Sequence, residues 1–415
     1  MRNIKFLYLV ALATIFWQCE LSVDEFQPAA GELDLSSYVA LGDSYSAGYT
    51  DGALGHKSQV ESLPAILAQQ FALAGGGEFK QPLMPVGTSV GTTVIDAEGN
   101  LNGYFKLNVV GSSLAPAPTM GNKEVFANLI GDEAPFNNMS VPGAKSFHLL
   151  TPQFGNPTLG QGNFNPYYTR FASQPGVSTV MSDAMLAQPT FFSLWIGGND
   201  VLTYALTGGT GDGITAPLAF AGYIEVILDY MAAHNNKGVI ANIPAIDALP
   251  YFSYLTSGDH IPFLVEDPSV AAGYRALTPK EKILLPAAAS LATGMGRAIE
   301  NVIPEHLFLN ETQLEDINAA IEAYNLALKA IAEEHNLAFV DMHSLMEKVK
   351  AGLPVDGNIY TNEFISGGIF SLDGIHATYR GYAVIANEFI RAINVHYKSS
   401  IPLVNVNDYD TVVFP

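Results

Sequence analysis

The sequence predicts an α/β fold built on a mostly parallel sheet with helices on both faces. Short apolar runs that read as buried strands alternate along the chain with longer stretches of helical periodicity. Several of these runs end in glycine or proline, where a strand would enter a loop. In such sheets, sites lie at the carboxyl ends of the strands.

The elements follow in order. Tyr38 to Leu41 is a short apolar run that ends in Gly42-Asp43-Ser44. Ser62 to Ala74 is predicted helical, with Leu63, Ile66, Leu67 and Leu73 on one face. Gly75 to Glu133 is rich in Gly, Thr and Val, holds a turn at Asp96 to Asn100, and reads as an inserted β-hairpin region. Phe136 to Val141 is predicted as a second core strand, stopped by Pro142-Gly143. Residues 150–180, with many Pro, Gly, Asn and aromatic residues, read as an ordered insertion. Thr190 to Ile196 is a buried strand, followed by a helix around Leu218 to Asn235 and a strand at Gly238 to Ile243. Residues 248–310 are irregular and proline-rich. Glu311 to about His335 carries Leu314, Ile317, Ile321, Tyr324, Leu328 and Ile331 at helical spacing, with Asn310 as N-cap and Gln313 three residues on. Leu337 to Val340 is the next strand, and Arg380 to Asn394 the last long helix.

The chain has 415 residues, 40 acidic and 19 basic, for a net charge of −21. That balance argues against nucleic acid, whose phosphates need clustered Lys and Arg, and against adsorption to an anionic membrane surface. Charged residues make up only 14% and hydrophobic ones 48%, so a large core can be buried. The single cysteine excludes an intramolecular disulfide framework and a Cys-based zinc cluster. It sits at Cys19, directly after Arg2, Lys5 and the uncharged apolar run Phe6 to Trp17. That run is too short for a membrane span of ~20 residues and suits a signal-peptide core. The arrangement resembles a bacterial lipoprotein signal, although Gln18 stands where a small residue is usual. Residues 1–18 then form the signal peptide, Cys19 is the lipidated first residue, and 19–35 form a tether. The expected location is the cell surface or periplasm as a lipoprotein, otherwise secretion. Membrane contact is expected only through that anchor.

Four short constellations can carry chemistry. They are Gly42-Asp43-Ser44, Pro142-Gly143-Ala144, Gly197-Gly198-Asn199-Asp200 and Asp373-Gly374-Ile375-His376. The first three follow strand ends and the last precedes the terminal helix. Each alone is an ordinary turn or loop. Together they hold every part of an acyl-transfer site. Serine needs a neighbouring base, and His376 can serve Ser44. Asp373, three residues earlier, can accept the histidine's Nδ1–H and fix its tautomer. The Ser44 and Gly143 N–H groups and the Asn199 amide are suitable oxyanion donors.

The order of these blocks resembles the SGNH, or GDSL, hydrolase family. Its four block residues match Ser44, Gly143, Asn199 and His376, with Asp373 in the family's Asp-x-x-His pattern. The segments ALGDSYSAG, WIGGND and FSLDGIHAT carry the resemblance. Tyr45 replaces the usual leucine, where it would alter the pocket wall, and Ala377 replaces the common proline. The resemblance implies a three-layer flavodoxin-like fold and hydrolysis of esters or thioesters, usually without a cofactor. It covers roughly residues 36–75, 135–147, 190–245 and 311–395. One domain over 36–396 is expected, with insertions at about 76–134, 148–189 and 248–310, and a 397–415 tail packed on it. A lipid acyl ester, or an acyl group on a glycan, is the expected substrate. The alternative is a non-catalytic surface lipoprotein that binds glycan or lipid.

Two rivals arise within the chain. Gly87-Thr88-Ser89-Val90-Gly91 fits the G-x-S-x-G elbow, which needs a strand before it and a helix after it. Prolines precede it and β-branched residues follow, so Ser89 is predicted to lie in a hairpin strand. Asp341-Met342-His343 is a second acid–histidine pair, whose plainer role is Asp341 capping a short helix. The other histidines show no metal-ligand spacing, and Gly208, Gly209, Gly211 and Gly213 lack the Lys-Ser/Thr of a P-loop.

Overall fold

The computed structural model describes residues 26–110, 113–232, 236–255 and 263–415. The predicted leader, Cys19 and the start of the tether lie outside the described residues. Along the chain the main elements are strand β1 (Tyr38–Gly42), helix α1 (Leu63–Leu73) and the hairpin β2 (Asn102–Val110) and β3 (Ser113–Met120). Strand β4 (Phe191–Trp195), helices α2 (Asn199–Ala205) and α3 (Pro217–Ala232), and strand β5 (Lys237–Ala241) follow. Helix α4 (Glu311–Glu334), strand β6 (Ala338–Val340), and helices α5 (Met342–Ala351) and α6 (Tyr379–Tyr397) complete the core.

β1, β4, β5 and β6 are neighbours in that order, and every pair is parallel. The expected α/β sheet is therefore present. All five residues of β4 are buried, as a strand covered on both faces requires. Phe191 packs against Phe71 of α1 and Tyr397 of α6, while Phe220 of α3 stacks on Tyr324 of α4 at 4.1 Å. Each such buried ring contributes ~1.5–3 kcal/mol relative to exposure. Helix α4 starts with the expected capping box: Asn310 Oδ1 accepts the Gln313 N–H at 2.9 Å, and Gln313 Oε1 accepts the Asn310 N–H at 2.8 Å.

The segment expected as a second core strand differs. Residues 137–141 run parallel to the free edge of β1, but only an isolated Ala40–Asn138 bridge forms. The Ala40 N–H donates to Asn137 O, and the Met139 N–H to Ala40 O. The Asn137 and Asn138 side chains account for the irregularity, since they bond the Tyr38 and Ser46 carbonyls instead of leaving a plain ladder. This segment completes the order 2-1-3-4-5 of a flavodoxin-like sheet. The direction of winding reverses between β1 and β4, which is where such sheets place ligands.

The insertions are ordered differently. The first carries the β2–β3 hairpin, and the turn at Asp96–Asn100 lies before it. Ser89 sits in a two-residue strand paired with Leu54–Gly55, and no helix follows it. The second is a chain of short helical turns. The third has its own small core, with Phe263, Val265, Ile283, Met295, Ile303 and Phe308 buried together. After α6, Asn387 holds Val404 by two hydrogen bonds of 2.9 Å, and Ile401 and Val406 are buried.

Candidate active site

The site begins where β1 ends. A Cβ on Gly42 would meet Trp195 O at 2.6 Å and Ser46 Oγ at 2.7 Å, so only glycine lets the strand turn into the short helix Ser44–Ala47. Asp43 caps that helix, with Oδ1 accepting the Tyr45 N–H at 3.0 Å. Burial pushes its carboxyl up to about 7, despite the Tyr45 N–H and His376 that oppose the shift. Ser44 stands on the first turn, where a backbone N–H has no acceptor within the helix.

Ser44 Oγ lies 2.8 Å from His376 Nε2, across 332 positions of sequence. His376 Nδ1 lies 2.9 Å from Asp373 Oδ2. A carboxylate only accepts, so Nδ1 carries the proton and Nε2 is left to accept from the serine hydroxyl. Four N–H groups converge on Asp373. Gly52 N–H (2.9 Å) and His376 Nδ1–H reach Oδ2, and the Ile375 (2.9 Å) and His376 (2.8 Å) N–H groups reach Oδ1. Burial alone would raise this carboxyl, but the His376 ring and the converging donors hold it below the usual aspartate value.

The imidazole sits between two tyrosine rings, Tyr45 at 5.2 Å and Tyr49 at 4.7 Å. Tyr45 OH donates to Ile375 O at 2.7 Å, and its ring also tilts against Trp195 at 4.8 Å. The residue that departs from the family's leucine therefore braces the Asp373–His376 turn from within.

The oxyanion candidates occupy the neighbouring loops. Gly143 has φ +79° and is exposed, a backbone state that glycine adopts without strain. Its turn is tied to β1 by the Val141 N–H on Gly42 O at 3.0 Å. Asn199 opens α2, and its Nδ2 donates to Ala144 O at 3.0 Å, which leaves one amide proton of two for a ligand. The adjacent Asp200 is fully buried and accepts both the Ser146 N–H and its hydroxyl at 2.8 Å. The two loops are thereby locked together. At Gly197, with φ +112°, a Cβ would strike the Phe220 ring at 2.7 Å.

The family model for GDSL-like lipase/acylhydrolase matches residues 38–389. The chain belongs to that family. Among solved structures, it is similar to a variant of an acetyl-xylooligosaccharide esterase from Geobacillus stearothermophilus, at 11% identity and TM-score 0.40, covering 89% of this chain and 96% of that one. An alpha/beta hydrolase enzyme from the metagenome of Lake Arreo, Spain, matches at 13% identity and TM-score 0.39, over 87% and 96% of the two chains. A GDSL-like lipase from Bacteroides thetaiotaomicron matches at 11% identity and TM-score 0.34, over 89% and 92%. No curated protein sequence matches the chain.

The four block residues come from four separate segments, Ser44 and Asn199 at helix starts and Gly143 and His376 in turns. The rival pairs stay apart from them. Ser89 Oγ accepts the Tyr104 N–H within the first insertion. Asp341 caps α5 through the Ser344 N–H at 3.0 Å and also takes the Asn242 amide at 2.9 Å. His148 Nδ1 accepts the Lys145 N–H, and burial lowers this imidazole to about 4. Among the described residues no group of three or more His, Cys, Asp or Glu is placed to hold a metal ion, and no helix is long and apolar enough to cross a membrane.

Sequence reasoning missed Gly52 and Tyr49, and it gave Asp200, the last residue of the third constellation, no role. Gly52 and Tyr49 join the Asp373–His376 turn from about 320 residues away, and no local pattern signals that.

Proposed function

We propose that this GDSL-family chain is an exported serine ester hydrolase that works through an acyl-enzyme on Ser44. The observation that carries the reading is the continuous hydrogen-bonded path from Ser44 Oγ through His376 to Asp373. Ser44 Oγ attacks the acyl carbonyl while His376 Nε2 takes its proton. The tetrahedral oxyanion is held by the Ser44 and Gly143 N–H groups and by the remaining Asn199 amide proton. His376 then protonates the departing alkoxide, and the acyl group stays on Ser44. Water, deprotonated by His376, attacks the acyl-enzyme and releases the acid. Asp373 keeps the imidazole in the reactive tautomer and stabilises its cation.

The substrate class proposed is a carboxylic ester, either lipid-borne or carried as an acyl group on a glycan. Export rests on the N-terminal leader, and surface anchoring rests on Cys19. A panel of nitrophenyl esters from acetate to palmitate tests the chemistry. Wild type should hydrolyse at least one member, and Ser44→Ala should lose ~10⁴-fold or more in kcat. No serine-dependent hydrolysis across the panel would reject the reading and favour a binding protein. Cell fractionation reads the anchor: wild type should sediment with membranes and Cys19→Ser should be soluble.

A further inference from the structure

The first insertion reaches the catalytic acid through Asn102 and Phe105, which hold the two peptides on either side of Gly52. Asn102, at the start of β2, has no exposed surface. Its Nδ2 donates to Gly52 O at 2.6 Å and to Gly103 O at 3.0 Å, while its Oδ1 accepts the Thr93 N–H at 2.8 Å. Gly52 is the residue whose N–H reaches Asp373 Oδ2 at 2.9 Å. Tyr49 OH also bonds Gly52 O, at 2.7 Å.

The peptide before Gly52 is held at both ends. The Phe105 N–H donates to Asp51 O at 2.7 Å, and the N–H of that same peptide is the donor to Asp373. The Phe105 ring closes the space, since a Cβ on Gly52 would lie 2.9 Å from it. Gly52 adopts φ +74°, which a free loop has no need to keep. A hydrogen-bonded line thus runs from the insertion, through one peptide plane, to the oxygen that also receives His376 Nδ1–H. Bonds in such a line polarise one another.

We propose that Asn102 is a positioning residue for the catalytic acid: by fixing Gly52, it keeps the Gly52 N–H on Asp373 Oδ2. This rests on the Ser44–His376–Asp373 reading. Two donors on one oxygen fix the rotation of the carboxylate so that Oδ2 faces the imidazole. They also withdraw charge from Oδ2 and moderate its hold on the imidazolium. Without the Gly52 N–H, the carboxylate is freer to rotate away from the imidazole. The insertion therefore tunes the base of a site to which it contributes no reacting group.

The test uses the full chain and nitrophenyl acetate. Asn102→Ala should lower kcat by ~10-fold with KM changed by less than about twofold. Asn102→Ser, which keeps a donor, should recover part of the loss. A folded Asn102→Ala with unchanged kcat would overturn the proposal. So would a loss carried by KM, or one that Asn102→Ser leaves unrecovered, which marks a merely structural role. If the variant does not fold, or if no ester is hydrolysed, protein labelled with ¹⁵N-glycine decides. The Gly52 amide resonance should move in Asp373→Asn, and a resonance that stays in place would overturn the proposal. Loss of serine dependence in the ester panel bears instead on the function itself.

Discussion

The turn from Asp373 to His376 meets the Asp51–Gly52 loop, which the first insertion holds from behind, on one side and the third insertion on the other, and the two contacts differ in kind. On the first side the contact is polar: the Gly52 N–H reaches Asp373, and Asp51 Oδ1 accepts the Leu372 N–H at 2.9 Å. On the other side it is mostly hydrocarbon. A Cβ on Gly374 would meet Leu285 Cδ2 at 2.9 Å, and among the described residues the Tyr251 N–H donates to Gly374 O at 2.9 Å across the seam. The same insertion supplies Leu249 to a narrow cavity of about 20 Å³ beside Asp43 and Tyr45, room for little more than one water. Directional bonds set the orientation of a charge, whereas apolar packing sets shape and access. The first side should therefore govern chemistry and the third should govern stability and fit.

The sharpest way to break this contrast is at Asp373. Asp373→Asn places an amide where Nδ1–H needs an acceptor and favours the wrong tautomer. It should cost ~10³–10⁴-fold in kcat with the fold intact by circular dichroism. A smaller effect is expected on the apolar side. Gly374 has φ +73°, so Gly374→Ala adds backbone strain and crowds Leu285. Chemical denaturation should show a loss of ~1–3 kcal/mol, with kcat reduced far less than in Asp373→Asn. Equal losses of activity in the two variants would erase the distinction.

The smallest effect concerns Asp51. Burial first, and Asp373 second, push its carboxyl up from 3.8 to about 7. A carboxyl raised in the folded state binds its proton more tightly there than in the unfolded chain. Its contribution is therefore most favourable below pH 4 and is lost as pH rises from about 4 through 7. The depressed Asp373 acts oppositely, but only at the acid end of that range. Wild type should melt at a lower temperature at pH 8 than at pH 5. The drop should shrink by a few degrees in Asp51→Asn, whose Oδ1 can still accept the Leu372 N–H. An unchanged drop would mean that Asp51 is solvated and not part of the polar clamp.

Much of the core was legible because its signals are local. The apolar run at Phe191 to Trp195, the Asn310–Gln313 capping box, and the glycines at the ends of β1 and β4 each predict a structure within a few residues of themselves. The pairing of Ser44 with His376 was legible only through the family pattern. The edge segment expected as a strand at Phe136 to Val141 misled because its run up to Pro142-Gly143 has a strand's outline, yet the Asn137 and Asn138 amides bond the neighbouring backbone and interrupt the ladder. The role of Gly52 could not be read at all. It depends on φ +74°, peptides held by Phe105 and Asn102, and a partner on the far side of the sequence.

Under the proposed mechanism, the separation of 332 positions between Ser44 and His376 has a consequence in time. A chain growing from its N-terminus displays Ser44 early, yet it lacks a base and the acid that orients it until Asp373 and His376 have emerged. Contacts so distant in sequence form late, after the loop between them has been closed. Until α6 docks and brings the preceding turn to β1, the serine is an ordinary alcohol. On that mechanism, topology alone acts as a propeptide would: the serine stays silent during synthesis without any segment having to be cut away.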